Sequence, residues 1–143
     1  MKILIRNGRL VDPASGRDET CDVAIAAGRI VALGSVSADF HPNRTIDAAG
    51  FVVAPGLVDL ATRLREPGHE HEGMLESEMA AAVAGGVTSL VCQPDTDPVL
   101  DEPGLVEMLK FRARSLNLAH LYPLGALTRS LKGEALTEMA ELT

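Results

Sequence analysis

Aromatic residues are nearly missing from this 143-residue chain, at 3% with no Trp. Platforms on which bases or sugars stack are therefore poorly supplied. Basic residues are outnumbered, 13 Lys and Arg against 20 Asp and Glu, for a net charge of −7. That balance excludes non-specific attraction to nucleic acid or to an anionic membrane surface. Cysteine is scarce too, with only Cys21 and Cys92, so a disulfide framework is not expected, and two reduced thiols in a cytoplasmic protein are. No apolar run is long enough for a signal peptide or a membrane span. What is present is apolar content of 46%, enough to build a globular core.

The two parts of the chain have different periods. Residues 1–54 carry short β patterns separated by turn signals. Lys2 to Arg6 reads as a strand, and Asn7-Gly8 as a two-residue hairpin turn, since both positions tolerate positive φ. A turn at Asp12 to Gly16 follows. Strands are then expected at Asp22 to Ala26, Arg29 to Leu33, Thr45 to Asp47 and Phe51 to Val53, together forming a small β-sandwich.

From residue 55 to 143 the pattern is strand, helix, strand, helix, strand, helix. Leu57 to Leu60 is a short apolar strand. Glu72 to Ala84 is rich in good helix formers and stops at Gly85-Gly86. Val87 to Cys92 is β-branched and apolar, as in a buried parallel strand. Asp101 is placed to cap a helix with Pro103 in its first turn, running to about Ser115. A third strand is expected within Leu116 to Leu124, and a third helix within Leu131 to Leu142. This alternation implies βαβ units and a parallel sheet.

Several motifs then occur in one order. The stretch from Asp47 through Pro55-Gly56 to Asp59-Leu60 precedes Leu64-Arg65-Glu66-Pro67-Gly68. Gly85-Gly86-Val87-Thr88, Gln93-Pro94-Asp95-Thr96-Asp97-Pro98, Pro123 to Thr128, and Leu131-Lys132-Gly133-Glu134 follow. In this series the chain resembles the dihydroorotase branch of the amidohydrolase superfamily. The resemblance implies an α/β fold in which an N-terminal β-sandwich leads into the first three βα units of a (β/α)8 barrel. A whole barrel takes eight strands and about 250 residues, so a piece of a longer gene product is expected.

In that family a His-x-His pair ends the first barrel strand, just before Leu-Arg-Glu-Pro-Gly. Residues i and i+2 of a strand share a face, and at the C-terminal end of a barrel strand that face looks into the catalytic mouth. Two imidazoles there hold zinc, which lowers the pKa of bound water. The matching positions here are Ala61 and Arg63. Alanine has no donor atom, and arginine stays protonated and offers no lone pair. No catalytic residue and no metal are therefore expected at this mouth. Arg65 matches the arginine that contacts the substrate carboxylate in the family. Its other reading is a structural salt bridge. Asp95 matches a family asparagine that helps hold the same carboxylate, and an aspartate there adds like-charge repulsion.

His69-Glu70-His71 is a second His-x-His, in a charged loop, and offers alternative zinc ligands. His41 and His120 are isolated. Gly85-Gly86 lacks the Lys-Ser/Thr of a phosphate loop, and Cys92 sits inside a strand without a paired histidine. Two functions follow from the resemblance. The first is an inactive homologue, oligomeric, serving as a structural subunit for aspartate carbamoyltransferase in pyrimidine biosynthesis. The second is a working cyclic amidohydrolase with a reduced zinc site.

Overall fold

A computed structural model describes residues 1–142. The chain divides into two compact units, Met1–Pro55 and the remainder from Gly56. No helix among the described residues is long and apolar enough to cross a membrane.

The first unit is one mixed sheet. Strand β1 (Lys2–Asp12) pairs antiparallel with β2 (Arg17–Ala26), which pairs antiparallel with β3 (Arg29–Leu33). Strands β4 (Arg44–Asp47) and β5 (Val52–Val53) both run parallel to β1, along its first and second halves. Because both extend the free edge of β1, the expected sandwich is present as a single layer and not as two facing ones. The β1–β2 connection is closed by Asp12, whose carboxylate accepts hydrogen bonds from the Ala14 N–H at 3.1 Å and the Ser15 hydroxyl at 2.5 Å. That is the usual work of an aspartate at the first position of a turn.

Asn7-Gly8 does not make the expected hairpin. The chain continues straight through it, and the register shifts between Ile5 and Gly8, so Arg6 and Asn7 together oppose Asp22. Asn7 takes φ 62° and donates its N–H to Asp22 Oδ1 at 3.1 Å. Positive φ serves a β-bulge as well as a hairpin turn, and the residues beyond Gly8 remain paired to the same strand β2. Gly8 is required for closeness, since a Cβ there would lie 2.5 Å from Val53 Cγ2.

The second unit holds three parallel strands, β6 (Leu57–Thr62), β7 (Val87–Cys92) and β8 (His120–Pro123), in the order β6-β7-β8. Helix α1 (Leu75–Ala84) connects the first two and α2 (Pro103–Leu116) the last two. The expected alternation thus holds through the third strand. The core lies between helices and sheet, where Leu64, Leu75, Met79, Leu90, Cys92, Leu100, Val106, Leu109 and Ala113 are buried. Each large apolar side chain so buried contributes about 1.5–3 kcal/mol relative to exposure.

Three local expectations are corrected. Helix α1 starts at Leu75 and not at Glu72, because residues 69–73 close on themselves: His69 O accepts from the N–H groups of both Glu72 and Gly73. Asp101 does not cap α2. The cap residue is Glu102, and Asp101 Oδ2 accepts the Ser130 N–H at 2.7 Å instead. Pro103 does open the helix, and Asn117, at φ 50°, ends it. The third helix is replaced by two short 3-10 turns, Arg129–Leu131 and Met139–Glu141. Positive φ at Ser130, Leu131 and Gly133 interrupts the helical path. Side chains then compete for the backbone: Thr128 Oγ1 accepts the Gly133 N–H at 3.0 Å, and the Thr137 hydroxyl donates to Ala126 O at 2.6 Å.

Candidate functional site

The C-terminal ends of β6 and β7 lie side by side, with Thr62 opposite Cys92. Gln93 ties them further. Its N–H donates to Thr62 O at 3.1 Å, and its side-chain amide donates to Leu60 O at 3.2 Å. Whatever leaves β6 after Thr62 is therefore held close to whatever leaves β7 after Cys92.

Arg63 and Asp95 are those residues. Arg63 Nε donates to Asp95 Oδ2 at 2.7 Å, and the two side chains are 57% and 41% exposed. The hydrogen bond and charge of Asp95 raise the Arg63 guanidinium above its already high ordinary pKa. Ala61 presents only a methyl group, and its N–H is taken by Asp59 Oδ1 at 3.0 Å. On the opposite face of the strand, the buried Thr62 hydroxyl has no hydrogen-bond partner among the described residues. These residues do not fit a divalent metal. One ligand position has no donor atom, and the other carries a cation already engaged by the neighbouring carboxylate.

Leu64 is fully buried and anchors the chain between the two arginines. Arg65 follows at φ 64°, in the left-handed region that non-glycine residues enter at a cost of about 1–2 kcal/mol. Its Nε lies 3.2 Å from Glu72 Oε2. Both arginines singled out in the sequence are thus paired with carboxylates of this chain. Arg63, Arg65, His69, Gln93, Asp95 and Thr96 line one narrow cleft of about 10 Å³, room for a single water.

The rings of His69 and His71 are 6.1 Å apart and tilted by 58°. His71 Nε2 lies 3.8 Å from Glu72 Oε1. Glu70 turns back to accept the Gly68 N–H at 3.0 Å, which holds its carboxyl below the usual range. No group of three His, Cys, Asp or Glu able to hold a metal ion occurs among the described residues. His41 and His120 are remote in sequence from this loop, and Cys92 is buried with its thiol pKa pushed up by desolvation.

Sequence reasoning did not single out Glu66. It is 2% exposed. Its Oε2 accepts the Leu75 N–H at 2.8 Å, and its Oε1 forms an ion pair with Arg112 on α2. The only local signal is an acid inside a motif between Arg65 and Pro67. Nothing in the sequence points from it to Arg112.

A family model described as "Dihydro-orotase-like" matches residues 50–143. A "Dihydroorotase-like protein" of Pseudomonas aeruginosa is 52% identical over 99% of this chain and 34% of its own length. A "Dihydroorotase" of Pelobacter propionicus is 44% identical over the same shares. The chain therefore spans about a third of the length of the curated relatives it matches. Among solved structures, the L-hydantoinase (dihydropyrimidinase) of Arthrobacter aurescens superposes with a TM-score of 0.77 at 26% identity, covering 88% of this chain and 28% of that one.

Proposed function

Since the chain belongs to the dihydroorotase-like family of amidohydrolases, we propose that it is a member without metal-dependent hydrolysis, serving as an assembly subunit for aspartate carbamoyltransferase. One observation carries the loss of chemistry. Where the family resemblance puts the first two metal-binding histidines stand Ala61 and Arg63, and Arg63 is bound to Asp95 at 2.7 Å. A fixed cation with its own counter-ion replaces an acceptor pair. The second departure, Asp95, is the residue that neutralises the first. The partner, an oligomeric state, a place in pyrimidine biosynthesis and a cytoplasmic location are part of the same reading. The resemblance to inactive subunits of that assembly supports them.

Two measurements test it. The complete protein, purified without chelator, is expected to contain far less than one zinc per chain at this mouth and not to open dihydroorotate. Co-expressed with aspartate carbamoyltransferase of the same organism, it is expected to elute with it. Separate elution of two stable proteins refutes the assembly role.

A second reading has one observation in its favour: relatives at 44% identity carry the name dihydroorotase. In it, a reduced zinc site uses His69 and His71 or residues outside this chain, and the protein hydrolyses a cyclic amide. Stoichiometric zinc together with turnover of dihydroorotate would establish that reading and overturn the first.

A further inference from the structure

Glu66 is the one charged side chain among the described residues that is buried, at 2% exposure. A carboxylate withdrawn from water needs both hydrogen-bond donors and a counter-charge. Glu66 obtains one of each, from two different helices. Oε2 accepts the N–H of Leu75, the first residue of α1, at 2.8 Å. Oε1 forms its ion pair with Nη1 of Arg112 on α2.

The α1 contact answers a local deficiency. The residue preceding the helix is Met74, which has no side-chain oxygen to cap the helix; the Ser77 hydroxyl accepts the Met74 N–H at 3.1 Å, and the Leu75 N–H needs an acceptor from elsewhere. The first N–H groups of a helix are unsatisfied and carry partial positive charge. Glu66 supplies the missing acceptor from nine residues upstream.

Between Glu66 and Leu75 lies the loop that shapes the mouth. It is tied internally: the His69 N–H donates to Arg65 O at 2.8 Å, and Glu72 reaches back to pair with Arg65. It is tied externally where the Asp97 N–H donates to Pro67 O at 3.1 Å. Glu66 pins the beginning of this loop to its end, and Arg112 pins both to α2. Arg112 is itself 47% exposed and lines a groove on the helices with Met74, Phe111 and Leu116.

We propose that Glu66, held by Arg112, is the positioning residue of the mouth loop, so that a change at Arg112 on the helix surface displaces Arg65 and His69. The juxtaposition of one buried carboxylate with a helix start and a cation on a second helix carries the inference. It does not depend on whether the protein is an enzyme or an assembly subunit.

The test compares Glu66→Gln, Arg112→Met and the double variant in the complete protein, by amide exchange and by NMR signals of the loop. Glu66→Gln keeps the shape and one acceptor and removes the charge. The expected result is a loss of Leu75 amide protection of about tenfold, with shifted signals for Arg65 to Glu72 and unchanged signals for β8. Arg112→Met is expected to move the same loop signals. The double variant is expected to be no worse than Arg112→Met alone, because no unpaired charge remains buried. If Glu66→Gln fails to fold, Arg112→Lys provides the reading, with loop signals intermediate between parent and Arg112→Met. Loop signals identical to the parent in Arg112→Met overturn the proposal. So do changes spread evenly over the fold in step with lost stability, since those indicate a framework role only.

Discussion

Arg63 and Asp95 meet Nε to Oδ2 at 2.7 Å, although 32 positions separate them in the chain. Each follows the end of a parallel strand, and the register of β6 on β7 brings the two together. The pair is half exposed, so screening by water limits what it adds to stability. Its effect is occupancy: a metal or an anion approaching the mouth meets a guanidinium and a carboxylate that already satisfy each other.

Arg63→Ala, Asp95→Ala and the double variant should therefore each melt within about 2 °C of the parent. Thermal denaturation of the complete protein checks this. A fall of more than about 5 °C for either single variant would make the pair part of the fold's framework.

Leu109 is fully buried in the core between helices and sheet. Leu109→Ala removes its packing and leaves a cavity, which should destabilise the second unit by about 2–5 kcal/mol. Denaturant titration reads this as a lower midpoint at unchanged slope. A loss below about 1 kcal/mol would show that the core collapses around the gap.

Asp12 closes the β1–β2 turn through the Ser15 hydroxyl, and that bond lowers its carboxyl pKa below the ordinary value. A depressed folded pKa gives stability that is present above the unfolded pKa and lost as pH falls through the folded one. Amide protection at Ala14 should therefore persist near pH ~5 and fall toward pH ~2. In Asp12→Ala the Ala14 protection should already be low at pH ~5. Equal protection in both proteins would sink the assignment.

Burial raises the pKa of Cys92, whereas Cys21 is only partly buried. The thiolate is the reactive form. In the native protein Cys92 should react with an aromatic disulfide at least about tenfold more slowly than Cys21, and the two rates should converge in denaturant. Fast native labelling of Cys92 would mean that the β7 layer opens locally.

Much of the second unit was legible because its signals are local. The β-branched run Val87 to Cys92, the Ala- and Met-rich helix before Gly85-Gly86, and Pro103 at a helix start each carry their own reason. The corrections fall where one local signal serves two structures. Asn7 at positive φ suits a hairpin or a bulge, and only the pairing of Leu10 to Asp12 with the same β2 decides. Residues 131–142 contain good helix formers, but the Thr128 and Thr137 hydroxyls bind backbone groups and hold the segment in turns. At the mouth, the sequence identified Ala61, Arg63, Arg65 and Asp95 one at a time. The partnerships Arg63–Asp95, Arg65–Glu72 and Glu66–Arg112 depend on strand register and helix packing, which no window of sequence contains.

The extra residue at Asn7 also sets the parity of β1. Cross-strand partners share a face, so Ile5 opposite Val23 and Gly8 opposite Cys21 lie on one side, and Leu10 joins them. Odd-numbered residues hold that side before the bulge and even-numbered ones after it. If Asn7 stayed in the chain but entered the regular pleat, an unbroken two-residue rhythm would bring Arg9, now bonded to Asp18 at 2.6 Å, to the side where Leu10 is buried. The bulge at this one asparagine thus absorbs the odd residue and keeps the two halves of one strand on a common inside.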